Sequence, residues 1–374
     1  MKIQKFTYND QSRFWHLNMM TLNQLTLIVG ASGVGKTQIL KSIYSLKQIT
    51  NGYSINGVQW EVEFLTNNDN TYVWKGKYEK LKTGSEEALT KDSNKDAPRI
   101  IYESLLKNGA EIINRNADII MFNHAKTVRL PQEKSAIYLL KEEDEIASVY
   151  FHFQKIVFHN HWMANSFLPV DDIHLIMNRY KTIEDIQNSD ESVKTRLFLA
   201  SKISENVYKQ IKSKFKAVFP YVEDIKIEPY VSKHSMSLQH ILFIQIREKG
   251  IDHWIDERQI SAGMLRTLYH ISEIFLGTSG SVILIDEFEN SLGINCIDDL
   301  TSELLINKRD LQFVITSHHP YIINNINYSN WKIVTRIAGN VTTRDAVDFH
   351  LGHSKHAAFT QLINLDAFCE GIEQ

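Results

Sequence analysis

The chain has 374 residues, with 43% hydrophobic and 23% charged side chains, 16 glycines and 6 prolines. Those fractions are ordinary for a globular protein and exclude a collagen-like or largely disordered chain. The 41 Lys and Arg against 44 Asp and Glu leave a net charge of -3, so no global positive field holds nucleic acid or anionic lipid, and any DNA contact must be local.

At roughly 150 residues per domain, the length allows two lobes or one large α/β domain carrying an insertion. Cys296 and Cys369 are too few and too far apart for a disulfide framework or a four-ligand zinc site. Met1 to Asp10 has no apolar segment after its lysines, so it does not read as a signal peptide, and no apolar run approaches the length of a membrane helix. A cytoplasmic location with no membrane partner is expected.

Lys2 to Tyr8 reads as an opening strand, and Gln24 to Gly30 as a buried β-branched strand entering a tight turn. Val58, Trp60, Val62 and Phe64 alternate with polar residues, and Tyr72 to Tyr78 alternates again after the turn-forming 67–70, which predicts an antiparallel hairpin. Residues 80–98 are polar and predict an exposed loop. From Asp190 to Phe219 the spacing of Val193, Leu197, Ile203, Val207, Ile211, Phe215 and Val218 predicts one amphipathic helix of about seven turns. In the last third, apolar runs (Ile241 to Ile246, Val282 to Ile285, Phe313 to Ile315) alternate with helical patterns (Met264 to Leu276, Ile294 to Ile306), which predicts parallel strands with crossover helices.

Gly30-Ala31-Ser32-Gly33-Val34-Gly35-Lys36-Thr37 satisfies G-x-x-x-x-G-K-[ST] directly after an apolar strand and before a helical pattern. Glycines let backbone N–H groups curl around phosphate oxygens, and the helix N-terminus adds its partial positive charge. In that setting Lys36 neutralises the β- and γ-phosphates and the Thr37 hydroxyl ligates Mg²⁺. The nucleotide-binding set is then Gly30, Ser32, Gly33, Gly35, Lys36, Thr37 and Gln38. Val282 to Ile285 is an apolar strand ending in Asp286-Glu287. Asp286 can hold the water shell of the metal, while Glu287 can polarise an attacking water as a catalytic base.

Ile260 to Arg266 precedes an apolar helix before the acidic strand, and Phe313 to Pro320 is a strand ending in His318-His319-Pro320. With the order phosphate loop, Ser-x-Gly helix, acidic strand and histidine strand, the chain resembles the ABC-type ATPase superfamily. It is most similar to the soluble SMC-like branch that includes OLD-family ATPases and ATPase subunits of bacterial anti-phage systems, on Asp286 to Leu292, Thr316 to Pro320 and Gly263 to Arg266. The resemblance covers about residues 1–50 and 255–325.

The resemblance implies an ABC-type P-loop head, a mixed α/β sheet flanked by helices with an antiparallel part in the N-terminal half, and a helical insertion. Segments 1–150, 151–250 and 251–374 would be a first ATPase lobe, an insertion and a second lobe. Two protomers would sandwich two ATP molecules, each completing the other's site with Ser261 and Gly263. Ser291-Leu292-Gly293 would be the D-loop, and His318 would contact the γ-phosphate. The glutamine that joins Thr37 and Asp286 on the metal would be Gln132, with Gln154 as the alternative.

Several departures narrow the expectation. Ile260 stands where leucine is usual and Ser-Ala-Gly-Met replaces Ser-Gly-Gly-Gln, which points away from transporter subunits. No long heptad coiled coil is present. The 54 residues after Pro320 are too few for the Toprim nuclease of OLD proteins, and no other nuclease motif is visible. The expectation is an ATP-hydrolysing switch that acts on a separate effector such as a nuclease or toxin. The alternative is a repair clamp that binds duplex DNA through Lys209, Lys212, Lys214 and Lys216 with Arg99, Arg115 and Arg129.

Overall fold

The computed structural model describes residues 1–66, 69–81, 89–90, 97–159, 173–189, 191–231, 240–290, 292–293, 296, 301, 310–352 and 355–372. The chain divides into two compact units. The first comprises Met1–Phe158, Gly280–Glu287 and Asp310–Gln374, and the second His159–Ser279 and Phe288–Arg309. The segment 1–150 thus lies wholly in the first unit, 151–250 almost wholly in the second, and 251–374 contributes to both.

The first unit is built on a sheet of fourteen strands among the described residues. Towards one end of the sheet Leu25–Val29, Gln312–Thr316 and Val282–Ile285 run parallel, with Gln312–Thr316 between the other two. Every residue of these three strands is buried, the expected consequence of helices covering a parallel sheet on both faces. The parallel order predicted for Val282 to Ile285 and Phe313 to Ile315 is observed. On the other side of Leu25–Val29 runs Trp331–Ile337, also parallel, with Ile333 opposite Val29.

The remainder of the sheet is mainly antiparallel. The predicted hairpin is present as Val58–Leu65 with Thr71–Tyr78, Trp60 lying opposite Gly76. A Cβ on Gly76 would lie 2.3 Å from the Trp60 ring, so this glycine is what lets the indole lie across the neighbouring strand. Trp60 meets Trp74 edge-on at 5.0 Å, and Phe153, from the helix Asp144–Gln154, packs on Trp74 and Phe64. Beneath them Glu103 is buried, and it accepts from Trp74 Nε1 (3.0 Å), Ser135 Oγ (2.5 Å) and the Ala136 N–H (2.7 Å), with Arg115 at 3.6 Å.

The second unit carries a three-stranded antiparallel sheet, Val222–Val231, His240–Glu248 and Ile255–Asp256. This corrects the parallel reading of Ile241 to Ile246. Only the eight residues 232–239 separate it from its neighbour, whereas a crossover to a parallel partner needs a dozen or more. The single long helix is likewise two, Val193–Ile203 and Glu205–Val218, divided at Ser204, whose backbone is extended at φ -133° and ψ 84°. Glu205 then opens the second helix with a carboxylate in its first turn. Arg196 is buried with both Nη2 contacts on Glu273 (3.0 and 2.8 Å) and Nη1 on the Leu276 carbonyl (2.8 Å). The predicted helix Ile294 to Ile306 and the loop 80–98 lie mostly outside the described residues. No helix among the described residues is long and apolar enough to cross a membrane.

Candidate functional site

Register brings three chain segments to one edge of the sheet. Thr316 pairs with Ile28, and Ile315 with both Leu27 and Ile285. The residues that follow, Val29-Gly30, Ser317-His318 and Asp286-Glu287, therefore leave the sheet at the carboxyl ends of adjacent parallel strands, where open α/β sheets bind ligands.

The phosphate loop runs from Gly30 to the helix Lys36–Thr50, which buries Ile39, Leu40, Ile43, Leu46 and Ile49 against the sheet. Gly30 has φ +148°, and a Cβ there would lie 2.7 Å from the Val334 carbonyl. Gly35 has φ +107°, and a Cβ there would press to 3.2 Å on Trp15 Nε1. Both glycines are required by conformation and by space. No side chain caps this helix. Lys36 is 6% exposed, and its Nζ donates to the carbonyls of Gly30 (2.9 Å) and Ala31 (2.7 Å). Ser32 and Gly33 are exposed, and Thr37 and Gln38 are half-buried on the first helical turn.

Beside this loop the acidic pair is held by Thr316, whose hydroxyl donates to Asp286 Oδ1 at 2.7 Å and accepts the Glu287 N–H at 2.8 Å. Asp286 is half-buried and Glu287 exposed. Glu287 has φ +46°, a left-handed conformation that costs a non-glycine residue about 1–2 kcal/mol and turns its side chain away from the strand direction. Thr316 was not among the predicted site residues. Its signal is present in the Thr-Ser-His-His-Pro run, but its role depends on strand register.

The two adjacent histidines have different positions. His319 caps the helix Pro320–Asn325, accepting the Tyr321 N–H on Nδ1 at 3.2 Å, whereas His318 is exposed at the strand end. Ser261 caps the helix Ala262–Leu276 by accepting the Met264 N–H at 3.2 Å. Ser261 and Gly263 belong to the second unit and Lys36 to the first. Of the expected D-loop, Ser291 lies outside the described residues.

Neither glutamine candidate reaches the site. The Gln132 carbonyl accepts from Ile100 N and Arg115, and its side chain meets Asp118 (3.2 Å) and Arg99 (3.4 Å). Six strands stand between Ile100–Lys107 and Leu25–Val29, a path of roughly 30 Å along the sheet. Gln154 bonds Asn51 (2.9 Å) and Thr50 (3.3 Å) at the far end of the phosphate-loop helix, about 20 Å from Lys36 at 1.5 Å per residue. Gln132 is corrected from metal ligand to a residue of the antiparallel edge, which leaves Thr37 and Asp286 as the expected metal set.

The cations expected for a DNA groove are largely paired. Arg99 lies 3.4 Å from Glu79, Arg115 sits on Glu103, Lys209 on Glu205 (2.7 Å) and Lys212 on Asp224 (2.6 Å).

Residues 25–324 match the family described as AAA domain, putative AbiEii toxin, Type IV TA system. The chain belongs to this AAA family. The match spans the phosphate loop, the acidic strand and the histidine strand of this AAA domain. Among curated proteins none matches it in sequence. Solved structures are similar over nearly the whole chain. An SMC head bound to the C-winged helix domain of ScpA has a TM-score of 0.52 and 12% identity over 92% of this chain and 97% of that one. The SMC head domain from Thermotoga maritima has a TM-score of 0.43 and 14% identity over 92% and 99% of the two chains. The first of these likenesses shows that the AAA domain has the mixed α/β fold of an ABC-type P-loop ATPase head.

Proposed function

We propose that the protein is an ATP-binding and ATP-hydrolysing switch that closes around nucleotide with a second copy of itself and thereby controls a separate effector. The observation that carries this reading is the convergence of the Gly30–Thr37 loop with Asp286, Thr316 and Glu287 at one sheet edge. Lys36 already faces loop carbonyls, and triphosphate oxygens are stronger acceptors for the same ammonium. Glu287, exposed and turned by its left-handed backbone, would polarise a water toward the γ-phosphate. His318 would contact the same phosphate.

Thr37 and Asp286 would hold Mg²⁺. One hydroxyl and one carboxylate fit an ion that takes its remaining ligands from phosphate and water, and no cluster of three or more His, Cys, Asp or Glu among the described residues competes as a metal cage. When bound, the ion would neutralise charge developing on the β- and γ-phosphates.

Ser261 and Gly263 would complete the partner's pocket, the capped helix offering a hydroxyl and N–H groups to the γ-phosphate. The SMC head similar in fold is bound to a winged-helix domain of another protein, which supports a head that carries a separate partner. A nuclease or toxin in anti-phage defence, in the cytoplasm, is the setting we infer from the OLD-like motifs. A clamp on duplex DNA is less supported, because four of its seven proposed cations, Arg99, Arg115, Lys209 and Lys212, lie on carboxylates.

The test is the oligomeric state of Glu287→Gln with and without ATP. We expect a larger species with ATP, lost when Ser261→Arg is added, together with hydrolysis abolished by Ser261→Arg alone. One unchanged species throughout, or a fully active Ser261→Arg, rejects the shared pocket.

A further inference from the structure

The phosphate loop is fastened from outside by a residue that no motif contains. Arg336 lies near the end of the strand Trp331–Ile337, and its side chain is exposed. Its Nε donates to the Ala338 carbonyl at 2.7 Å, which orients the guanidinium plane, and its Nη1 donates to the Gly33 carbonyl at 3.3 Å. Gly33 is the tip of the loop. It has φ +83°, and a Cβ there would meet nothing within 4 Å, so it borders open space.

The Arg336 backbone N–H also donates to the Gly371 carbonyl at 2.8 Å. Gly371 in turn lies against the loop, where a Cβ would come within 2.3 Å of Val34 and 3.2 Å of Ala31. One residue therefore ties the loop at its tip directly and at Ala31 and Val34 through Gly371.

A guanidinium is a cation with five N–H donors. Two of the five are used on carbonyls, and no ion pair to Arg336 is formed among the described residues. A neutral donor would suffice to hold a carbonyl. An unneutralised cation at the rim of an anion-binding loop does more, because it adds attraction for a polyphosphate and has donors left to reach one.

We propose that Arg336 is a positioning residue for nucleoside di- and triphosphates: it fixes Gly33 so that the loop N–H groups stay aimed inward, and it offers its remaining N–H groups to phosphate oxygens. The proposal rests on the reading of Gly30–Thr37 as a triphosphate site.

The experiment titrates a fluorescent ATP analogue with Mg²⁺ into the full chain and into Arg336→Ala, Arg336→Lys and Lys36→Ala, alongside melting of each without nucleotide. Loss of one charge-assisted contact should weaken binding by Arg336→Ala about tenfold. Its melting temperature without nucleotide should stay within about 2 °C of the parent. Arg336→Lys should recover part of the affinity, since it keeps the charge but cannot bridge Ala338 and Gly33 together. In hydrolysis, KM should rise with kcat little changed.

Parent-like affinity in Arg336→Ala beside lost binding in Lys36→Ala overturns this proposal alone. So does an Arg336→Lys variant as weak as Arg336→Ala, with melting of both lowered, because the role would then be structural. A parent that binds no nucleotide overturns the triphosphate reading and the proposal with it.

Discussion

Thr316 is the residue on which the acidic pair depends, since one hydroxyl both donates to Asp286 and accepts from the Glu287 backbone. Thr316→Val keeps the β-branched shape and removes the oxygen. It is expected to lower kcat roughly tenfold or more while nucleotide affinity changes less than about threefold, a split read from steady-state kinetics beside direct titration. If both parameters stay at the parent values, Thr316 has no part in holding the pair. Gly30 presents a different constraint, because Ala there would have to accept both φ +148° and a 2.7 Å approach to the Val334 carbonyl. Gly30→Ala should lose about 1–3 kcal/mol in urea unfolding and should bind nucleotide far more weakly. The glycines, Lys36, Asp286 and Glu287 were legible in the sequence because their spacing follows from local chemistry at a strand-to-helix turn. Thr316 and Arg336 were not, because each acts on a residue far away in the chain, Asp286 and Gly33, and local spacing carries no record of register.

Among the elements, the helix Asp144–Gln154 buries His152, whose Nδ1 is 2.6 Å from the Ser148 carbonyl. Burial lowers the imidazole pKa below its ordinary 6.5, with the Ser148 carbonyl opposing in part. The folded state thus takes up a proton less readily than the unfolded chain. The contribution of His152 is complete above pH 6.5 and is lost as pH falls below it. His152→Gln should therefore flatten the fall in melting temperature between pH 7.5 and 5.5, and an unchanged slope would assign the acid sensitivity to other groups. In the second unit the helix Val193–Ile203 is pinned by Arg196 on Glu273. Arg196→Met removes the guanidinium from that buried carboxylate, a loss of about 3–5 kcal/mol to be measured by chemical denaturation. The split between this helix and Glu205–Val218 escaped the periodicity because a single extended residue, Ser204, interrupts the backbone while barely shifting the phase of the apolar face. The two glutamine candidates failed for the opposite reason. Each has a polar neighbourhood that suits it locally, and only the strand order of the sheet reveals that six strands stand between the neighbour of Gln132, Ile100–Lys107, and the phosphate-loop strand.

For the whole molecule, nucleotide should act as a stabiliser of the folded state by mass action. ATP at a hundred times its dissociation constant adds about 2.7 kcal/mol, visible as a rise in melting temperature that Lys36→Ala should abolish. A rise that persists in Lys36→Ala would place the binding elsewhere. The chain order of phosphate loop, Ser-x-Gly helix, acidic strand and histidine strand was readable from end to end, and so was the mixed α/β class. Both follow from runs of apolar residues whose length and period are properties of a short segment. The partition into two discontinuous units was decided by tertiary structure, since Gly280–Glu287 returns to the sheet of the first unit although the residues on either side belong to the second. By itself the sequence determined where the phosphate-loop motif and the acidic strand end lie, because glycine cradle, lysine and carboxylates are short-range patterns. Only the tertiary structure decided which side chains meet them, because Thr316 and Arg336 form hydrogen bonds with residues that lie far from them along the chain.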